Sequence, residues 1–333
     1  MNNKKFFTLL GISVGVLAIA VILYIVLGPA ATNDENKNKS EELKKYETLY
    51  NLKLVDADED YYVITGLTLA NQRGENNSHV ISFPKTIDNL KVKKIVSNIQ
   101  FTDYKYIKKI IIPEYVEYIG IDEDSSNLCD EIFLSAASLE TIEVDVSNVK
   151  FSSLKGILYT KDHTELLLCP RNYVNEFGSN SNITINDEVK KIGDYAFYNN
   201  QKVVAVEFND DLEKIGICAF TNSPYLNNID FSNCTKLDSI NNAAFNNCDQ
   251  LTIVILPNSL VNIGSTTFGN CKGLKEVYIP SSVQSFGNEV IGGSTNCIIT
   301  TSENNVEFLK SICTILGIKN KDKEIKIQIR NYE

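Results

Sequence analysis

Apolar residues fall into a short alternating unit that returns along the chain. Val203 to Phe208, Leu226 to Phe231, Leu251 to Leu256 and Leu274 to Ile279 each place apolar side chains at their first, fourth and sixth positions. Alternation of this kind predicts a strand with one face inward. Between these units lies a second recurring element: Ile192-Gly-Asp-Tyr-Ala-Phe197, Ile215-Gly-Ile-Cys-Ala-Phe220, Ile240-Asn-Asn-Ala-Ala-Phe245 and Ile263-Gly-Ser-Thr-Thr-Phe268, at steps of 23, 25 and 23 residues. A fixed period of this size predicts a solenoid whose coils bury their apolar faces against one another. Pro113, Pro257 and Pro280 end strands where the chain must turn, since proline cannot continue a backbone ladder. An apolar pair such as Leu260 and Ile263, or Val283 and Phe286, then begins the return leg.

The same grammar reaches backwards in weaker form, through Val80 to Pro84 with Val92 and Ile95, Ile107 to Pro113 with Val116 and Ile119, and Leu139, Ile142 and Val144. About eight coils of ~23 residues are expected over residues 46–305. Residues 155–170 interrupt the period: Gly156-Ile-Leu-Tyr-Thr160 and Glu165-Leu-Leu-Leu-Cys-Pro170 flank Lys161-Asp162-His163-Thr164, which predicts a hairpin insertion. Val306 to Gly317 shows helical spacing in Phe308, Ile312 and Ile315, so residues 306–333 are expected to close the core with a capping helix and tail.

Phe6 to Gly28 carries no charge and follows Lys4 and Lys5. At ~1.5 Å per residue it can span an apolar bilayer core of about 30 Å. Residues 6–28 are therefore expected to form a single-pass transmembrane signal anchor, with residues 1–5 cytoplasmic and the remainder extracytoplasmic by the positive-inside rule. The alternative is secretion after cleavage near Ala30. Residues 29–45, rich in Asn, Lys, Glu and Ser, read as a polar stalk.

Composition narrows the chemistry. With 42 acidic against 32 basic residues the net charge is -10, which disfavours a nucleic-acid partner. Two histidines, His79 and His163, and no tryptophan leave little for a histidine-built metal site. Asp56-Ala-Asp58-Glu-Asp60 lacks the glycine and closing glutamate of a calcium loop. Eight cysteines contain no C-x-x-C pair. Cys248 and Cys271 share a repeat position and read as buried thiols, with a bond between them as the alternative. Asn199, Asn222, Asn247 and Asn270 share the preceding position and read as a structural ladder that hydrogen-bonds the turns.

The motif Ile-Gly-x-x-Ala-Phe, followed by Asn-Cys and by Leu274-Lys-Glu-Val-Tyr-Ile-Pro280, resembles the BspA-like leucine-rich repeat family of surface proteins. Tyr62-Val-Ile-Thr-Gly66, Val80-Ile-Ser-Phe-Pro84 and the Gly156 hairpin resemble it too. The resemblance implies a mainly β, leucine-rich-repeat type solenoid with surface display and binding, and it brings no catalytic residues, cofactor, metal or small-molecule substrate. The outward strand positions then form columns: Ala205 and Glu207, Asn228 and Asp230, Ile253 and Ile255, Glu276 and Tyr278. Glu207, Asp230, Ile253, Ile255, Glu276 and Tyr278 form the expected contact patch for a protein or glycan on another cell or host surface, an adhesion role. The alternatives are a cell-envelope spacer without a ligand, and a carbohydrate-active enzyme using Glu207 and Asp230.

Overall fold

The structure, a computed structural model, describes residues 39–55, 59–67, 79–96, 106–120, 136–174, 181–231, 233–294, 297–302, 305–311 and 327–329. The chain divides into two units, Met1–Lys45 and Tyr46–Glu333. The expected membrane span, 6–28, and most of the stalk lie outside the described residues. Among the described residues no helix is long and apolar enough to cross a membrane. The end of the stalk is helical, because Ser40 Oγ accepts the Leu43 N–H at 2.9 Å and caps a short helix, Glu41–Glu47, with Glu41 and Glu42 in its first turn.

The second unit opens with a mixed sheet. Tyr50–Val55 pairs antiparallel with Tyr61–Leu67, which lies parallel to Leu90–Val96. Leu90–Val96 also takes Thr86–Ile87 antiparallel and Tyr118–Gly120 parallel. Beside it Val80–Ser82, Lys109–Ile112 and Thr141–Val144 form a three-stranded parallel sheet. Ile81, Ile110, Ile112 and Ile142 are buried there, as the backward reading of the repeat anticipates.

The regular repeats build two facing sheets. One has seven parallel strands: Ser181–Thr184, Val203–Glu207, Asn228–Asp230, Ile253–Ile255, Glu276–Tyr278, Ile298–Thr301 and Ile327–Ile329. The other has eight, and its repeating members are two-residue strands: Lys191–Ile192, Lys214–Ile215, Ser239–Ile240, Asn262–Ile263 and Ser285–Phe286. The return leg expected from sequence is thus a strand in its own right. The solenoid makes about seven turns, one fewer than the spacing suggests. Thr141–Val144 belongs to the earlier three-stranded sheet, and the seven-stranded sheet begins at Ser181–Thr184.

Inward positions follow the predicted pattern. Leu226, Ile229 and Phe231 are buried, as are Leu274, Val277 and Ile279. At the opposite edge Phe197, Phe220, Phe245 and Phe268 stack in succession, with ring centroids 4.5, 4.9 and 5.5 Å apart and planes within 12° of parallel. Offset stacks of this kind add about 0.5–1.5 kcal/mol per pair beyond their burial.

The turn between the short strand and the phenylalanine explains the motif. Gly216 admits no side chain, because a Cβ there would lie 2.6 Å from the backbone nitrogen of Asp194 in the preceding coil. Two residues per turn then adopt left-handed φ. The first is Tyr195, Cys218, Ala243, Thr266 or Glu289, with φ between 52° and 58°. The second is Asn199, Asn222, Asn247 or Asn270, with φ between 55° and 58°. Asparagine recurs there because it enters this region at lower cost than other residues with a Cβ. Hydrogen bonding along the asparagine column is seen from Asn247 Nδ2 to Asn222 Oδ1 at 2.8 Å, so the asparagines are structural chiefly through their backbone conformation.

Two expectations need correction. Ile157–Thr160 and Glu165–Leu168 do pair antiparallel around the predicted turn, where Asp162 Oδ1 accepts hydrogen bonds from Thr160 Oγ1 and from Thr164 Oγ1 and N. The hairpin is nevertheless no insertion, because Glu165–Leu168 pairs parallel with Lys191–Ile192 and forms the first parallel rung of the eight-stranded sheet. The C-terminal helix spans Val306–Ser311 and buries Leu309. Ile312 and Ile315 lie outside the described residues. A further strand, Ile327–Ile329, adds to the ladder after the helix, so the helix alone does not close that end.

Substitution should separate the backbone role from the side-chain role. Asn222→Ala is expected to lower stability by about 1–2 kcal/mol, the cost of a left-handed residue with a Cβ, whereas Asn222→Gly should stay within a few tenths. Both variants remove the same side-chain hydrogen bond, so equal losses in chemical denaturation would refute the backbone explanation. Gly216→Ala should cost about 1–3 kcal/mol or more through overpacking.

Candidate binding face

Backbone pairing in the seven-stranded sheet aligns side chains into columns about 4.8 Å apart. Val206, Ile229, Val254, Val277 and Ile299 form the buried inner column. On the opposite face a continuous register links Thr184, Glu207, Asp230, Ile255, Tyr278, Thr300 and Gln328. A second register pairs Ala205 with Asn228, and Ile253 with Glu276 and Ile298. The structure therefore places all six expected contact residues on one face.

Their surroundings differ. Glu207 and Asp230 are exposed, and Ile253 is 46% exposed, a large apolar side chain in water. Ile255 and Glu276 are half-buried. Tyr278 is only 5% exposed and the neighbouring Thr300 is fully buried. The expectation that Tyr278 presents its ring to a partner is overturned: the face is covered at this end, and burial raises the phenol pKa. The carboxylates are anchored by threonines one coil away. Thr184 Oγ1 donates to Glu207 Oε2 at 2.9 Å, and Thr300 Oγ1 donates to Glu276 Oε1 at 3.1 Å. The accessible patch is thus Glu207, Asp230 and Ile253, with Ile255 and Glu276 at its margin.

Other exposed apolar side chains escape the repeat pattern. Val146 is 90% exposed and Val149 67% exposed, on the turn after Thr141–Val144. Asn148 fixes that turn by donating to the Pro113 and Val116 carbonyls at 2.8 and 2.9 Å. Nothing in the spacing marks these valines, because the turn belongs to an irregular coil.

Cys248 and Cys271 are structural. All six described cysteines are free; Cys129 and Cys313 lie outside the described residues. Cys248 Sγ donates to the Phe220 carbonyl at 3.2 Å and Cys271 Sγ to the Phe245 carbonyl at 3.1 Å. Ser223 and Ser294 make the equivalent bond to Phe197 and Phe268 at 2.9 and 3.0 Å, and Asn200 Nδ2 reaches the Pro170 carbonyl at 2.8 Å. Burial drives the Cys248 thiol well up and the Cys271 thiol up to about 12 from its usual 9.0. These groups are protonated and poor nucleophiles at neutral pH. His163 Nδ1, on the half-buried hairpin turn, lies 3.1 Å from Glu188, and His79 Nδ1, just before the strand Val80–Ser82, lies 3.0 Å from the Tyr106 carbonyl. Among the described residues no group of three His, Cys, Asp or Glu side chains could hold a metal ion; Asp56 and Asp58 lie outside them.

Residues 171–298 match the BspA type leucine rich repeat region in six copies, and this segment is a leucine-rich repeat array of that type. No curated protein matches the chain. Among solved structures, the chain is similar to a leucine rich cell surface protein from Faecalibacterium prausnitzii, with 17% identity over 81% of this chain and 97% of that one and a TM-score of 0.45. It is also similar to the pneumococcal vaccine antigen PcpA, with 17% identity, 84% and 96% coverage and a TM-score of 0.44. A third is a leucine-rich repeat protein from Eubacterium ventriosum, with 19% identity, 68% and 78% coverage and a TM-score of 0.37.

Because the folded Cys271 thiol holds its proton to higher pH than the unfolded one, its contribution to stability is intact below pH 9 and is lost as pH rises toward 12. Cys271→Ser should fold, since serine makes the same bond in two other coils, and should flatten the fall of melting temperature over that range. An unchanged alkaline profile in this variant would remove Cys271 from the account.

Proposed function

We propose that this protein is a surface-displayed, non-catalytic binding module that recognises a protein or glycan on another cell through the outward face of its seven-stranded sheet. The observation that carries this reading is the patch itself. Ile253 stands nearly half exposed on a regular strand, on the same face as the exposed carboxylates of Glu207 and Asp230. An apolar centre within a polar rim is the usual anatomy of a recognition surface. Tyr278, buried beside Ile255 in the ladder, marks the covered end of this face. Residues 6–28 supply the membrane anchor in this reading, and the solenoid lies outside the cell.

The two parts of the reading are tested separately. Protease added to intact cells should degrade the solenoid; full protection would sink the outward orientation. On cells displaying the full chain, the double variant Ile253→Ala and Asp230→Ala should reduce attachment to a responsive partner cell by about tenfold, the effect of losing one anchoring contact, with melting unchanged. Attachment equal to that of the parent chain would favour a spacer without a ligand on this face. Tyr278→Ala, by contrast, should lower melting through lost burial, by about 3–5 kcal/mol at the upper end of core truncations.

A further inference from the structure

The N-terminal mixed sheet concentrates positive charge in a chain that is acidic overall. Residues 79–96 hold four lysines, Lys85, Lys91, Lys93 and Lys94, against one acid, Asp88. Three of those lysines lie within four positions of the strand Leu90–Val96. A β-bulge lies within this run: Tyr62 pairs with Val92 but Val63 pairs with Lys94, so Lys93 is an extra residue in the ladder. Bulges re-aim side chains, and this one lets consecutive lysines serve one surface. On the other side of Val63 the paired residue is Lys53, which is exposed.

Tyrosine rings hold the ammonium groups. Lys93 Nζ lies 5.3 Å from the centroid of Tyr61, Lys91 Nζ 5.4 Å from that of Tyr115, and Lys94 Nζ 6.0 Å from that of Tyr118. Cation–π contacts of this kind orient the charges without neutralising them. Glu114 Oε2 pairs with Lys85 Nζ at 3.6 Å, and a second carboxylate bridges Lys91 and Lys93. Glu59 Oε2 is 3.6 Å from Lys91 Nζ and 3.7 Å from Lys93 Nζ, on a side chain that is 70% exposed. It marks where an anionic oxygen bridges two lysines, and it is exposed enough to be displaced. Asp60, next to Glu59 in sequence, and Glu117 are exposed acids of the same segment.

We propose that this lysine–tyrosine surface binds an anionic polysaccharide, whose sulfate, carboxylate or phosphate groups take the place of the Glu59 carboxylate between Lys91 and Lys93. A row of charges along one strand suits an extended, flexible polymer. A rigid nucleic-acid duplex would press its phosphates against the rest of a chain carrying a net charge of -10. A bilayer would require apolar side chains to enter it, and the residues that make up this surface are lysines and tyrosines whose rings lie beneath ammonium groups.

The test uses the full chain purified in non-ionic detergent, with dextran sulfate as the probe and neutral dextran as its control. The parent protein should bind dextran sulfate in a salt-dependent manner and ignore neutral dextran. Lys91→Gln, Lys93→Gln and Lys94→Gln combined should weaken binding by about tenfold or more, and the same three positions changed to Arg should retain it, which controls for folding. Glu59→Gln decides between an ion pair that serves only the fold and one that stands in for a ligand. It should tighten binding by about two- to fivefold, the worth of an exposed ion pair that no longer competes. Equal binding by the parent and the triple Gln variant, or weaker binding by Glu59→Gln, would overturn the proposal. So would preference for phosphatidylserine vesicles or a short DNA duplex over dextran sulfate.

Discussion

The solenoid depends on one repeated bond: each coil leaves a buried carbonyl at its phenylalanine edge, and the next coil supplies the donor. Asn200, Ser223, Cys248, Cys271 and Ser294 do this in turn, reaching Pro170, Phe197, Phe220, Phe245 and Phe268. The Pro170, Phe197 and Phe220 carbonyls also accept a backbone N–H within their own coil, from Tyr173, Asn200 and Ser223, so there the side-chain donor fills a second lone pair; each such bond adds about 0.5–1.5 kcal/mol and ties one coil to the next. The opposite turn uses the same device. Ser259 Oγ lies 2.9 and 2.8 Å from the Cys234 and Leu237 carbonyls, which share its single proton, and Ser282 Oγ donates to the Leu260 carbonyl at 2.7 Å. Apolar stacking fills the space between these two seams.

Much of this was legible in the chain. Ile192, Ile215, Ile240 and Ile263 gave the period, and the first, fourth and sixth positions of each strand gave the buried face, because burial and a two-residue alternation leave the same imprint. The second sheet was not legible, since strands of two residues, such as Lys214–Ile215, are too short to alternate. Nor was the left-handed position shared by Tyr195, Cys218, Ala243, Thr266 and Glu289, which have no chemistry in common. There the backbone is held by its neighbours and selects no particular side chain.

The candidate site divides in the same way. Register placed Glu207, Asp230, Ile253, Ile255, Glu276 and Tyr278 on one face, as the strand pattern requires. Exposure along that face is set by tertiary covering, which alternation cannot report, and so Tyr278 and Thr300 proved buried while Ile253 stayed open. The lysine–tyrosine surface had a faint signal in Lys91-Val-Lys-Lys94, but its meaning depended on a bulge and on rings brought from Tyr61, Tyr115 and Tyr118, none adjacent in sequence.

The donor to the phenylalanine carbonyls is a hydroxyl or a thiol, and an amide does the same work at the Pro170 carbonyl that opens the series. Since any short polar side chain suffices, and each coil offers the next the socket it received, whole coils are interchangeable units. Loss or duplication of one period by recombination would leave no orphaned group at the junction, and the number of rungs can drift between related genes while every rung remains sealed.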